Sequence, residues 1–140
     1  MTNTARPAQS ARPEFGAVLG DRVVVADGAM GTMLQASDAT LDDFDGHEGC
    51  NEILNVTRPD IVRAVHQGYL EAGVDCVTTN TFGANLSNLG EYGLSARIAE
   101  LSEAGARIAR EAADQWSAPG RPAPRCSTSA RPAACDAAAA

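Results

Sequence analysis

Two short patches hold the residues able to do chemistry. In the first, Asp27 follows the β-branched run of residues 23–26 and precedes Gly28, Ala29, Met30 and Gly31. In the second, Thr79, Asn80 and Thr81 stand near the end of a run covering residues 74–82. An acid at the end of a strand, then glycines, then a short apolar stretch (residues 30–36) is how α/β proteins build ligand sites. Side chains at the carboxyl ends of parallel strands face the pocket, and amides that open a helix attract anions. Glycines let the backbone come close to a small molecule. The plainer alternative is a turn, with Asp27 capping the helix that follows.

Two strands and a helix must position these patches. Residues 23–26 read as a buried first strand and residues 74–82 as the second. Between them, Thr57-Arg58-Pro59-Asp60 reads as a helix start, with Thr57 capping, Asp60 answering three residues on, and Pro59 in the first turn. Ile61, Val65 and Tyr69 then recur at four-residue steps, widened by Val62 and Leu70, until Gly73 ends the helix as a left-handed cap. The order β-α-β predicts parallel strands, which brings Asn80 and Thr81 beside Asp27. His66 lies on this helix and reads as packing or solvent-facing rather than catalytic. Cys76 reads as a small core residue in mid-strand.

The remaining chain adds three expectations. Residues 37–55 read as a polar, acidic, solvated loop; His47 and Cys50 there are at best half of a metal site, which needs about four ligands. Ser95 caps a long helix reaching about Trp116, with Ile98, Leu101, Gly105, Ile108, Ala112 and Trp116 on its apolar face. Glu103–Arg107, Arg107–Glu111 and Arg110–Asp114 are spaced to pair on its other face. The leader, residues 1–19, and the tail, residues 118–140, read as disordered, and residues 20–117 as one partial domain. The tail holds four prolines and many alanines but no large aliphatic or aromatic residue, so it cannot offset its own ordering entropy.

Composition narrows the function classes. The net charge of −7 argues against a broad nucleic-acid surface. All 11 basic residues are Arg, which excludes chemistry that needs a Schiff-base or phosphate-binding lysine. The glycine pattern of a dinucleotide site is absent from residues 28–31. The four cysteines show no paired spacing, so a disulfide framework is not expected. Without a long apolar run or a signal-peptide core, the sequence suggests a cytoplasmic chain with no membrane partner.

Taken together, residues 26–33 (ADGAMGTM), 49–54 (GCNEIL), 58–62 with His66 and Tyr69, 71–75 (EAGVD) and 79–82 (TNTF) resemble the N-terminal part of the homocysteine-binding domain of cobalamin-dependent methionine synthases. The resemblance spans about residues 21–117. Methionine synthases usually carry Glu where this chain has Thr78, and smaller homocysteine methyltransferases resemble the chain there. The resemblance implies the first two βα units of a (β/α)8 barrel, incomplete, with its site at the carboxyl ends of the strands. It implies that Asp27 accepts from the amino group of homocysteine, that amides around Gly28, Ala29 and Met30 hold its carboxylate, and that Asn80 and Thr81 line the pocket. It also implies zinc, which holds the substrate thiol as thiolate, and cobalamin and folate domains for the methyl donor. The zinc-binding cysteines of the family lie on later strands, and none of Cys50, Cys76, Cys126 or Cys135 matches them.

The expectation is therefore a homocysteine S-methyltransferase fragment, truncated or frame-shifted after about residue 117 and inactive alone. Two alternatives stand beside it. One is the same domain using an S-methylated amino acid as donor. The other is a non-catalytic α/β remnant that binds an amino acid weakly or not at all.

Overall fold

A computed structural model describes residues 19–20 and 22–116. The expected tail, and all of the expected leader except Leu19, lie outside the described residues.

Helices dominate the described residues. α1 (Met30–Gln35) follows the glycine turn. The segment read as a solvated loop is instead folded. It makes 3-10 turns at Leu41–Phe44 and Asn51–Ile53 and then α2 (Leu54–Thr57). The reason is the apolar content of its far end: Cys50, Ile53 and Leu54 are fully buried with Leu34, Val62 and Leu101 in the main core. Each such side chain contributes roughly 1.5–3 kcal/mol when buried, enough to draw the polar residues around it into order.

α3 (Pro59–Ala72) has Pro59 in its first turn, as expected. The expected capping box does not form. Thr57 donates back to the Ile53 carbonyl at 3.2 Å, and Asp60 is taken by the Arg58 guanidinium, 2.9 Å away. Arg58 also reaches Asp38 and Asp43, each at 3.2 Å, and so ties residues 38–43 to the helix start. At the other end, Gly73 adopts φ 96°, with its N–H on Leu70 and that of Val74 on Tyr69, a Schellman termination.

α4 (Leu86–Glu91) is capped by Asn85, whose side chain accepts from the Asn88 amide at 3.0 Å. α5 (Ile98–Trp116) is entered through a 3-10 turn at Ser95–Arg97. α5 packs along α3 and buries Leu101, Ala104, Gly105, Ile108, Ala109 and Ala112. Of the three charge pairs expected on its outer face, Arg110–Asp114 forms at 3.0 Å, whereas Glu111 pairs across to Arg63 on α3 at 2.6 Å. A second core cluster joins Leu70, Val74 and Val77 to Ala109 and Ala112.

The two expected strands are corrected to a single contact. Residues 23–26 and 74–82 do not form strands, and one parallel bridge joins Ala26 to Cys76. Three backbone bonds hold it: Asp27 N–H to the Cys76 carbonyl (3.0 Å), and the Asp75 and Cys76 amides to the Val25 carbonyl (2.7 and 3.2 Å). Arg22 clamps the bridge from outside by donating to both oxygens of Asp75, at 2.8 and 2.5 Å. The parallel direction is the expected one, but Val23 and Val25 are 83% and 52% exposed. A parallel pair becomes regular sheet when both faces and edges are covered, and here they are not. No helix among the described residues is long and apolar enough to cross a membrane.

Candidate functional site

The glycine turn is pinned by Asp27. One carboxylate oxygen, Oδ1, accepts from both the amide (2.8 Å) and the hydroxyl (2.7 Å) of Thr78, just past the bridge. The side chain is 1% exposed. Gly28 and Ala29 then run exposed over the surface, and Ala29 takes the left-handed conformation, φ 49°. That conformation costs a non-glycine residue roughly 1–2 kcal/mol, so the surroundings must impose it. The turn leads directly into α1, which leaves the amides of Gly28, Ala29 and Met30 ahead of the first helical hydrogen bond, from Met33 to the Ala29 carbonyl at 2.9 Å.

The other oxygen of Asp27, Oδ2, is buried and accepts no hydrogen bond. It faces His66 Nδ1 at 4.0 Å. His66 is completely buried, as a residue four positions after Val62 on the apolar stripe of α3 should be, and neither of its ring nitrogens has a partner. Burial pushes its imidazole below the usual histidine range, and Asp27 opposes that shift. Of the two sequence readings, packing or solvent-facing, the structure selects packing; its position behind Asp27 had no signal in the sequence.

Asn80 is also buried, but it belongs to a network of its own. Its side-chain amide donates to the Asn51 carbonyl (2.8 Å) and to Asn55 Oδ1 (3.0 Å). Asn55 donates in return to the Asn80 carbonyl (2.8 Å) and to the Leu101 carbonyl on α5 (3.1 Å). Thr81 shares a 2.6 Å hydroxyl contact with Thr79. Asp27 and Asn80 therefore sit on neighbouring segments as expected, but their hydrogen-bond partners differ: Thr78 for one, Asn51 and Asn55 for the other. Gly31 links the two neighbourhoods, because a Cβ there would lie 3.4 Å from the Asn51 side chain.

Next to this network is a half-open cleft of about 310 Å³, whose lining includes Asn51, Glu52, Phe82, Gly83 and Tyr92. Glu52 is 8% exposed, and its carboxylate accepts from the Gly83 amide at 2.6 Å. Phe82 is 96% exposed at the cleft edge. Sequence reasoning missed Asn51, Glu52 and Asn55, since they fall in the stretch read as solvated. The available signal was the Ile53-Leu54 pair, which has no place in a solvated loop.

The residues present do not fit a zinc site. No group of three or more His, Cys, Asp or Glu side chains among the described residues is placed to hold a metal. Cys50 points at Glu52, and burial pushes its thiol up, away from the thiolate a metal needs. His47 packs edge-on against Tyr92, ring centroids 6.3 Å apart.

A sequence model described as homocysteine S-methyltransferase matches residues 24–135. The chain belongs to the homocysteine S-methyltransferase family. The matched span continues past residue 117, into the tail whose composition reads as disordered. Among curated relatives of this family member, methionine synthase of Mycobacterium tuberculosis (strain ATCC 25618 / H37Rv) is 62% identical over 104 residues, 74% of this chain and 9% of that protein. Methionine synthase of Mycobacterium leprae (strain TN) is 58% identical over 101 residues, 72% of this chain and 8% of that protein. The chain thus spans less than a tenth of the length of these relatives. Among solved structures, the homocysteine methyltransferase MmuM from Escherichia coli, in its metallated form, superposes with a TM-score of 0.57 at 28% identity, covering 73% of this chain and 35% of that one. The fold of the described residues is thus similar to part of that homocysteine methyltransferase.

Proposed function

We propose that this chain supplies the amino-acid-binding end of a homocysteine S-methyltransferase site of the methionine synthase type. In this reading the exposed amides of Gly28, Ala29 and Met30 receive the substrate carboxylate. The Asp27 carboxylate, one oxygen of which no protein group holds, takes the amino group. Because that side chain is turned inward, it must rotate outward to meet the amine. Asn80 and Thr81 hold the adjoining wall. The observation that carries the reading is the Asp27–Thr78 contact, which fixes the turn bearing the family's glycines in a rigid place.

The methyl donor proposed is methylcobalamin, itself supplied from methyltetrahydrofolate. Identity of 58–62% to proteins named methionine synthase supports this donor over an S-methylated amino acid. The described residues offer no donor set for zinc, so no step at the substrate thiol is assigned to them. We accordingly expect the chain on its own to bind without turning over. The test is a methyl-transfer assay with homocysteine and methylcobalamin, run beside a binding titration. Saturable binding with no methionine formed is expected; methionine formed by the purified chain alone would overturn the assignment.

A further inference from the structure

The glycine turn and Thr78 account for half of the Asp27 carboxylate and leave the other half facing His66. Three polar atoms of these two residues are buried without a hydrogen bond: Asp27 Oδ2, His66 Nδ1 and His66 Nε2. Almost every buried polar group in a folded protein has a partner, so such a cluster calls for an explanation. At 4.0 Å, Nδ1 and Oδ2 are too far apart for a hydrogen bond and close enough to become an ion pair with a small shift.

We infer that His66 is a positioning residue that sets which way the Asp27 carboxylate turns, its buried imidazole holding the unpartnered oxygen inward against the pull of an incoming amine. The inference rests on the proposed reading of the turn as the amino-acid site. When His66 is neutral, its hold on Oδ2 is weak, and the two Thr78 hydrogen bonds to Oδ1 are what an incoming amine has to displace for the carboxylate to rotate out. When His66 is protonated, the imidazolium and the ligand ammonium compete for the same oxygen, and the carboxylate stays in. Binding of the amine and protonation of His66 are therefore mutually exclusive, and each weakens the other by the same factor.

Among the described residues, no other group near His66 is placed to replace Asp27 in this role. Among the described residues, Asp27 is the charged group that acts on the buried imidazole. α1 (MGTMLQ) carries no titratable side chain. On the bridge segment, Asp75 is engaged by Arg22, and Cys76 is a buried thiol. On α3 and α5, Arg63 is paired with Glu111 and Arg110 with Asp114.

The test is a proton NMR titration of the two histidine rings in the whole chain, with His47 as internal control. Without ligand, Asp27→Asn should lower the His66 midpoint and leave that of His47 unchanged. Added homocysteine should lower the His66 midpoint in the native chain and leave it unmoved in Asp27→Asn. Affinity for homocysteine should fall by about tenfold per pH unit below the His66 midpoint, as for one competing proton. His66→Asn, which keeps a donor near Oδ2 but does not titrate, should lose that step while still binding. An unchanged His66 midpoint in Asp27→Asn overturns the inference outright. Homocysteine that shifts the resonances of residues 28–31 but not the His66 midpoint overturns it too, while leaving the homocysteine site standing. Homocysteine that shifts nothing overturns the site and this inference together.

Discussion

Asn55 and Asn80 hold each other reciprocally: Asn80 Nδ2 donates to Asn55 Oδ1 at 3.0 Å, and Asn55 Nδ2 donates to the Asn80 carbonyl at 2.8 Å. The pair is buried where three segments meet, residues 51–55, residues 79–83 and the first turn of α5. Its further bonds to the Asn51 and Leu101 carbonyls fasten all three together. Truncating either member strands the groups of the other without water to replace them. Asn55→Ala and Asn80→Ala are each expected to cost about 1–3 kcal/mol of stability. Urea unfolding of both single variants and the double variant checks this. The double variant should cost clearly less than the sum, because the second truncation removes groups already stranded.

Glycine positions around the same network predict opposite signs. At Gly83 a Cβ would fall 2.8–2.9 Å from the buried carboxylate of Glu52, and at Gly105 it would fall 2.8 Å from Asn55 Nδ2. Gly83→Ala and Gly105→Ala are expected to destabilise by about 1–3 kcal/mol, as overpacking does. At Gly68, in the exposed middle of α3, a Cβ meets nothing within 4 Å. Gly68→Ala should therefore stabilise by about 0.5–1 kcal/mol through helix propensity. Thermal melts of the three variants, compared at one pH, decide the signs.

Much of this arrangement was legible in the sequence, and the exceptions have physical causes. Helical spacing located α3 and α5, and Gly73 marked the end of α3, because local rules settle such features. Burial of His66 was left open, since a helix histidine reads equally as packing or as solvent-facing, and the structure settles it as fully buried. The parallel sense of the bridge followed from connectivity. Regular strands did not follow, because a strand takes its form from neighbours on its edges and faces, and among the described residues Val25 pairs only with the bridge segment while the Val23 and Val25 side chains stay exposed. The capping box failed because Arg58, adjacent in sequence, competes for Asp60. The ordered stretch of residues 41–57 was hidden by its acidic composition, although Ile53 and Leu54 anchor it. Of the site, Asp27 and its glycine turn were visible from residue types alone; Thr78 and His66 as its partners depend on tertiary contacts.

Acid should weaken the fold in two separate windows. The folded-state pKa of His66 lies below its unfolded value near 6.5, so the unfolded chain gains the proton first as pH falls. The stability tied to a neutral His66 is full above that unfolded value and drains as pH drops toward the folded one. Asp43, held down chiefly by the Thr40 amide, Asp60, held down by Arg58, and Glu100, held down by Arg97, also have lowered values. Their contribution is present above the ordinary carboxylate range and is lost only below it. Urea midpoints measured from pH 7.5 to 5 should fall in the native chain and stay flatter in His66→Asn. Parallel curves for the two would contradict this assignment.

Arg58 offers a salt-dependent check. Its guanidinium meets Asp38, Asp43 and Asp60, of which Asp38 and Asp60 are largely exposed. Screening weakens such contacts, so Arg58→Ala should lower stability only slightly, and the loss should shrink further at 1 M salt. Melting temperatures of the native chain and the variant, at low and high salt, give the result.

The most direct measurement is calorimetric titration of the purified chain with homocysteine, beside the Asp27→Ala variant, each with and without zinc. Saturable binding that weakens at least about tenfold in Asp27→Ala, a loss of about 1.4 kcal/mol or more, is expected. Zinc should leave both curves unchanged, since in the proposed reading the Asp27 turn receives the amino-acid end of the ligand and not its thiol. Binding that appears only with zinc, or that is equally strong in Asp27→Ala, would contradict the placement of the substrate on the Asp27 turn.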